Sequence, residues 1–238
     1  MTEAISILIP TFNRGKYIKD CLDSILNQTY DNLRILIYDD GSTDNTVDII
    51  KSINDPRIEL EHTSVNGGVG VARNMLLTMC NTEIAAWMDS DDLAHSRRIE
   101  MEYHLIKDTK NLFVITQCGR FNGNKYYNEK NKKMFTLDEE PQKDTLTKTK
   151  SFATVMFRNN HHTPTFHPDI KMGGEDTLWM KHMYNRQDHV IVDKMLYYVR
   201  FHNERIGTWK KKPRNIDLKR TNDHIFKMEM DKVGKDER

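Results

Sequence analysis

The sequence predicts an α/β fold built on a mostly parallel sheet with helices on both faces. Three observations carry that prediction. Through the first half of the chain, apolar, β-branched runs alternate with segments of helical spacing. Most of the runs are apolar along their length, as strands covered on both faces are. Three of them end abruptly in polar turns: "PTFNR" (10–14), "DDGSTD" (39–44) and "DSDD" (89–92).

The elements follow in order. "ISILIP" (5–10) is a first strand closed by a proline. Ile18, Leu22, Ile25 and Leu26 then share one helical face. "LRILIYDD" (33–40) is a second strand. Ser42 or Asp44 is placed to cap the helix that carries Val47, Ile49 and Ile50. "RIELEH" (57–62) alternates as a third strand, "GVGVARNMLLTMC" (68–80) is helical, and "EIAAWM" (83–88) is a fourth strand. Ile99, Tyr103 and Ile106 mark another helix, and "LFVITQC" (112–118) a fifth strand. The second half is less regular. Residues 122–150, rich in Asn, Lys, Glu and Thr, are expected to form a long surface loop or lid. "TVMF" (154–157) is a short strand, "EDTLWMKHMYN" (175–185) a helix, and "VIVDKMLYYVRF" (190–201) a strand or hairpin arm. The charged tail from Lys210 is assigned a last helix around residues 216–230.

At 238 residues, the chain is long enough for one large domain with a substantial core. Its 36 Lys and Arg balance 35 Asp and Glu, so no global charge draws it to nucleic acid or membrane. The three cysteines, Cys21, Cys80 and Cys118, lie far apart and speak for a reducing compartment. No signal peptide is legible, and no run approaches the ~20 apolar residues of a membrane span. A soluble, cytoplasmic protein is expected.

In open parallel sheets, ligands bind beyond the carboxyl ends of the strands. That rule gathers Asp39, Asp40, Asp89, Asp91 and Asp92 near one cleft. Carboxylates so close raise one another's pKa unless a cation sits among them. All-oxygen ligation suits Mg²⁺ or Mn²⁺ better than zinc, and such ions fill their shell with water and phosphates. A phosphorylated ligand follows. For "DSDD" alone, the plainer reading is a solvated acidic helix cap. "NGGVGVARN" (66–74) has Arg73 where a dinucleotide fingerprint has its third glycine, so a nicotinamide site is rejected. It reads instead as a glycine-rich approach to a helix N-terminus, with Arg73 reaching a base or phosphate. "GGED" (173–176) places an acid pair at a helix start. In "YYVRFHNE", Arg200 and His202 share one face of an extended segment. The histidine tract "NNHHTPTFHPD" (159–169), holding His161, His162 and His167, lacks the partners of a zinc site and is expected to be an acceptor-facing loop.

The order "SILIPTFNRGKYIKDCLDSILNQTYDNLRILIYDDGSTDNT", "NGGVGVARN", "WMDSDD", "GGED", "YVRFH" resembles the family 2 glycosyltransferases, strongly over residues 4–106 and loosely over 151–205. The resemblance implies the GT-A fold: one Rossmann-like domain over 1–205, with a nucleotide-sugar half (1–106) and an acceptor and catalytic half (107–205). A charged extension (206–238) follows. It implies inverting, metal-dependent transfer from a nucleotide-sugar, a UDP-sugar by preference, to a carbohydrate hydroxyl. By position, Pro10, Thr11 and Asn13 match the turn that lines the nucleotide. Asp39 and Arg73 match residues near the base. Asp89, Ser90 and Asp91 occupy the D-x-D motif, with Asp91 as the direct ligand of Mn²⁺ or Mg²⁺, Asp89 near ribose or metal, and Asp92 in support. Asp176 matches the general base, with Glu175 beside it. His202 matches a late histidine that contacts metal or diphosphate. Phe12 stands where tyrosine is common.

Two other readings are weighed against this one. The first is a catalytically inactive sugar-nucleotide-binding module, against which the complete D-x-D and the acid pair speak. The second keeps the enzyme but moves the acceptor to a hydroxylated base of phage DNA. "WKKKPR" (209–214), Lys219, Arg220 and the lysines of 125–150 would then meet phosphates. A solvated charged tail explains the same residues, and carbohydrate is the preferred acceptor.

Overall fold

Every residue of β1, Ile5–Thr11, is buried, because helices cover both faces of the strand. Ile5, Ile7 and Ile9 join one apolar cluster with Ile18, Cys21, Leu22 and Ile25 of α1 (Ile18–Leu26). Leu8 turns the other way, into a second cluster with Ala72 and Leu76 of α3 (Val69–Met79). The two-residue period of one strand thus feeds two cores. The computed structural model describes residues 2–109, 113–122, 125–128, 133–136, 151–160, 163–167, 174–186 and 189–202.

The remaining elements are β2 (Leu33–Asp39), α2 (Thr46–Ser52), β3 (Ile58–His62), β4 (Ile84–Trp87), β5 (Leu93–Ala94), α4 (Arg98–Lys107), β6 (Phe113–Asn122), β7 (Lys125–Asn128), β8 (Lys133–Thr136), β9 (Val155–Arg158), α5 (Glu175–Arg186) and β10 (His189–Arg200). The main sheet runs β3-β2-β1-β4-β9-β6-β10-β5. β3, β2, β1 and β4 are parallel, as are β6 and β10; β9 and β5 are antiparallel to their neighbours. This is the mostly parallel α/β sheet that the strand-helix alternation predicts. β1 sits beside both β2 and β4, so the chain reverses its direction of travel across the sheet there, and the carboxyl ends of all three strands open onto one edge.

Residues 125–128 and 133–136 depart from the expected loop. The fifth strand continues to Asn122, and β7 and β8 form an antiparallel hairpin on it. The hairpin's strands, KYYN and KMFT, are too short to show a period and are set among Asn, Lys, Glu and Thr, so spacing does not reveal them. β5 has two residues, too few to show a period. The last run is a single strand, β10, with register shifts against β6 between Val192 and Tyr197. At α2 the N-cap is Asn45, with no side-chain cap bond, and not Ser42 or Asp44: Asp44, one residue earlier, accepts from the Thr46 N–H at 3.0 Å, and the Ser42 hydroxyl turns to Asp39. The expected helix at 216–230 and the extension 206–238 lie outside the described residues.

Two buried devices fix the acidic turn to the frame. Trp87, the last residue of β4, packs against Phe152, Phe157, Phe166 and Trp179 with ring centroids 5.2–6.2 Å apart. Below it, the fully buried Arg98 donates to the Trp87 and Ala153 carbonyls at 3.0 and 3.1 Å and to Glu102 Oε1 at 3.1 Å. Glu102 Oε2 has no hydrogen-bond partner. Burial pushes the Glu102 carboxyl up to about 7, while Arg98 opposes the shift. A carboxyl whose folded pKa lies above its unfolded value binds protons more tightly when folded. Stability is therefore highest below the unfolded pKa, near 4.5, and falls as pH rises through about 7. Glu102→Gln is expected to abolish this part of the slope. Melting curves from pH 4.5 to 8 check it: the difference between wild type and variant changes by up to about 3 kcal/mol across that window. A flat difference curve excludes the buried titration.

Candidate active site

The end of β1 is laced to the end of β2. Asn13 takes a left-handed conformation, φ 51°, which asparagine tolerates. Its N–H donates to Ser42 Oγ at 2.7 Å, and its Oδ1 accepts from the Thr43 N–H at 2.8 Å. Asp39, 1% exposed, accepts from the Ser42 N–H at 2.9 Å and from the Ser42 hydroxyl. Pro10 and Thr11 are buried in the same strand end, and Thr11 Oγ1 has no hydrogen-bond partner.

Asp40 faces the opposite way. Its two oxygens accept from the Gly67 and Gly68 N–H groups at 2.9 and 2.7 Å, just before α3. Gly68 has φ 94°, which keeps that approach open to glycine. Burial raises the Asp40 carboxyl, and the two N–H groups oppose the rise. The N–H groups of the glycine turn thus hold the chain's own carboxylate at the start of α3.

The acidic turn follows β4. One oxygen from each of Asp89, Asp91 and Asp92 lies within 4.8 Å of the others. Asp91 Oδ2 accepts from Arg14 Nε at 3.1 Å and meets His202 Nε2 at 3.0 Å. Asp92 Oδ1 accepts from the Arg200 N–H at 2.8 Å, and Arg200 Nε donates to the Asp91 carbonyl at 3.0 Å. The Asp89 N–H donates to Tyr197 Oη at 3.1 Å. The end of β10 therefore completes the turn, and Arg200 and His202 reach it together as their spacing predicts. Tyr17 packs on the His202 ring at 4.3 Å between centroids. Self-repulsion within "DSDD" is relieved in part by Arg14, which nothing in the sequence pattern places there. Three carboxylates gathered this closely could hold a divalent cation with oxygen ligands.

Arg73 is 6% exposed and does its work inward. Its Nη1 donates to Glu175 Oε1 at 2.7 Å, and its Nη2 stands 3.6 Å from Asp89 Oδ1. Its guanidinium lies over the Phe152 ring at 4.4 Å. The next residue, Asn74, exchanges two hydrogen bonds with the main chain of Phe166, at 2.7 and 2.8 Å. Glu175 is buried, which raises its carboxyl against the pull of Arg73. Asp176, half-buried at the first turn of α5, accepts from the Thr177 N–H at 2.6 Å. Asp39, Asp89, Ser90, Asp91, Glu175, Asp176 and His202 all belong to elements that converge on this edge. The sequence reading missed Arg14, although it sits inside the quoted "PTFNR". His161, His162 and the basic stretch 209–214 lie outside the described residues.

Residues 6–173 match the model of the family described as Glycosyl transferase family 2. That is more than half of the chain. The chain is a member of glycosyl transferase family 2. The match ends just short of Glu175 and Asp176. Among curated relatives of this family 2 chain, Glycosyltransferase GlyG of Streptococcus pneumoniae serotype 4 is 37% identical over 132 residues, 53% of this chain and 44% of that protein. Chondroitin synthase of Pasteurella multocida is 37% identical over 99 residues, 41% of this chain and 10% of that protein. The family 2 chain spans less than half the length of these relatives. Among solved structures, S. aureus TarS 1-349 in complex with UDP-GlcNAc superposes with a TM-score of 0.69 at 21% identity, over 92% of this chain and 65% of that one. The complex of the same protein with UDP gives 0.65 at 23% identity, over 83% and 60%. These two likenesses establish the shared fold.

Proposed function

We propose that this family 2 chain transfers a sugar, with inversion, from a UDP-sugar to a carbohydrate hydroxyl. The observation that carries the reading is the meeting of Asp89 and Glu175 at one buried guanidinium, Arg73. It brings the acidic turn and the start of α5 to one place, so a donor diphosphate and a proton acceptor would share one site. TarS complexes with UDP and UDP-GlcNAc support the donor, and the chondroitin synthase name supports a carbohydrate acceptor.

In this reading Pro10, Thr11, Asn13 and Asp39 bound the nucleoside, and Asp89 and Ser90 lie by the ribose and diphosphate. Asp91, Asp89 and His202 would hold Mn²⁺ or Mg²⁺. Such an ion, when bound, supplies positive charge to the leaving diphosphate. Asp176 takes the proton of the acceptor hydroxyl as that oxygen attacks the anomeric carbon. The bond to the diphosphate breaks on the opposite face and its electron pair leaves with the phosphate oxygen. One displacement inverts the centre, and only one base is needed. The three free, buried cysteines suit a reducing, cytoplasmic setting, and no helix among the described residues is long and apolar enough to cross a membrane.

A melting screen over sugar nucleotides with Mn²⁺ tests the donor. A ligand at about 100 times its Kd adds roughly 2.7 kcal/mol, a rise of a few degrees in Tm. A UDP-sugar is expected to give that rise with Mn²⁺ and to lose most of it with a chelator. A Tm that no sugar nucleotide moves overturns the proposal.

A further inference from the structure

We propose that Arg73 and Glu175 form a positioning strut for the base, and that Glu175 accepts no proton in the reaction. The inference rests on Asp176 being that base. The two acids sit side by side at the start of α5 but in different surroundings. Glu175 has one oxygen on Arg73 at 2.7 Å, while its other oxygen is buried without a hydrogen-bond partner. Its side chain is 6% exposed and its charge is already met by Arg73. Asp176 is only half-buried and is held by local hydrogen bonds to Thr177.

Arg73 is built in as firmly as Glu175. Phe152 lies 4.4 Å and Phe166 5.4 Å from its guanidinium carbon, and Trp179 of α5 stacks on Phe166 with the rings 7° from parallel. Its fork faces Asp89 and Glu175 together, at 3.6 and 2.7 Å. These are residues of the donor half and of the catalytic half, 102 positions from Arg73 in the case of Glu175. A planar fork can serve two carboxylates at once, whereas an ammonium acts as a point charge. The low-dielectric ring cage strengthens the pair and makes either partner costly to leave alone. The strut therefore sets where the first turn of α5, and with it Asp176, stands relative to the acidic turn.

The test compares Glu175→Gln, Glu175→Ala, Arg73→Lys, Arg73→Met and the double variant Arg73→Met with Glu175→Gln, each checked for a native melt, against Asp176→Asn. An amide oxygen still accepts from Arg73, so Glu175→Gln is expected to keep kcat within about tenfold of wild type, and Glu175→Ala to lose about 10–100-fold. Arg73→Lys should lose about 10–100-fold in kcat with donor Kd within about threefold. The uncharged double variant should recover part of what Arg73→Met alone loses, because it leaves no unpaired buried carboxylate. If folded Glu175→Gln falls to the background of Asp176→Asn, Glu175 is a proton acceptor and the strut is overturned. If instead Asp176→Asn turns over normally, it is the assignment of the base that fails.

Discussion

Asp176→Asn is expected to give a folded protein that binds donor as wild type does and does not transfer. The amide keeps the size of the carboxylate, and its oxygen can still accept from the Thr177 N–H that holds Asp176 at 2.6 Å. What it loses is the ability to take a proton. A positioned general base contributes about 10²–10⁴-fold, and the loss in kcat should lie in that range or beyond. Donor affinity should stay within about twofold, since Asp176 lies on α5 and the proposed donor contacts lie on β1, β2 and the turn after β4. Steady-state transfer with parallel donor calorimetry checks both halves of this expectation. Turnover near that of wild type would refute the assignment.

The second large effect is expected at Asp91. Its carboxylate is 7% exposed and has Arg14 at 3.1 Å and His202 at 3.0 Å on one oxygen. Asp91→Ala therefore does two things. It removes the central proposed ligand, and it leaves Arg14 buried without its ion partner, at a cost of about 3–5 kcal/mol in stability. Asp91→Asn separates the two, because an amide can still accept from Arg14 but carries no charge to a cation. Both variants should lose the gain in donor affinity that Mn²⁺ confers on wild type, a loss of at least about 100-fold. Only Asp91→Ala should melt much lower. Calorimetry with and without Mn²⁺ decides; an unchanged metal increment in Asp91→Asn removes Asp91 from the metal site.

Strands buried on both faces announce themselves, because nothing along them needs to be polar. β1, β2 and β4 were legible for that reason, and so was the acidic turn that breaks the pattern after Trp87. The helices α1 and α5 were legible from periodic apolar positions. What spacing cannot carry is a partnership between distant positions. Arg73 meets Glu175 across 102 residues and Arg14 meets Asp91 across 77. A single sequence shows an arginine in a turn and an acid in a turn, with no sign that they share a bond. Asp40 is a similar case. It stands next to Asp39 in the chain, yet a strand sends neighbours to opposite sides, so one carboxylate joins the Ser42 turn and the other the glycine turn. The β7–β8 hairpin escaped for a different reason: its strands have four residues each, KYYN and KMFT, too few to show a period within a stretch rich in Asn, Lys, Glu and Thr.

The place of β10 has a consequence for the growing chain. The strand enters the sheet between β6 and β5, and its last residues supply the Arg200 N–H to Asp92 and the His202 ring to Asp91. The residues proposed to contact the donor, from Pro10 to Asp91, are synthesised more than a hundred residues before Arg200 and His202. A nascent chain halted before residue 189 has the acidic turn without those two partners, and β5 and that side of β6 as open edges. Exposed edges recruit other strands, so this interval is when the polypeptide is most vulnerable to misassembly. The arrival of one strand pairs β6 and β5 and brings the Arg200 N–H and the His202 ring to the turn. Competence for the proposed reaction is thereby tied to translation having passed residue 202, and a prematurely terminated product would not carry a finished site.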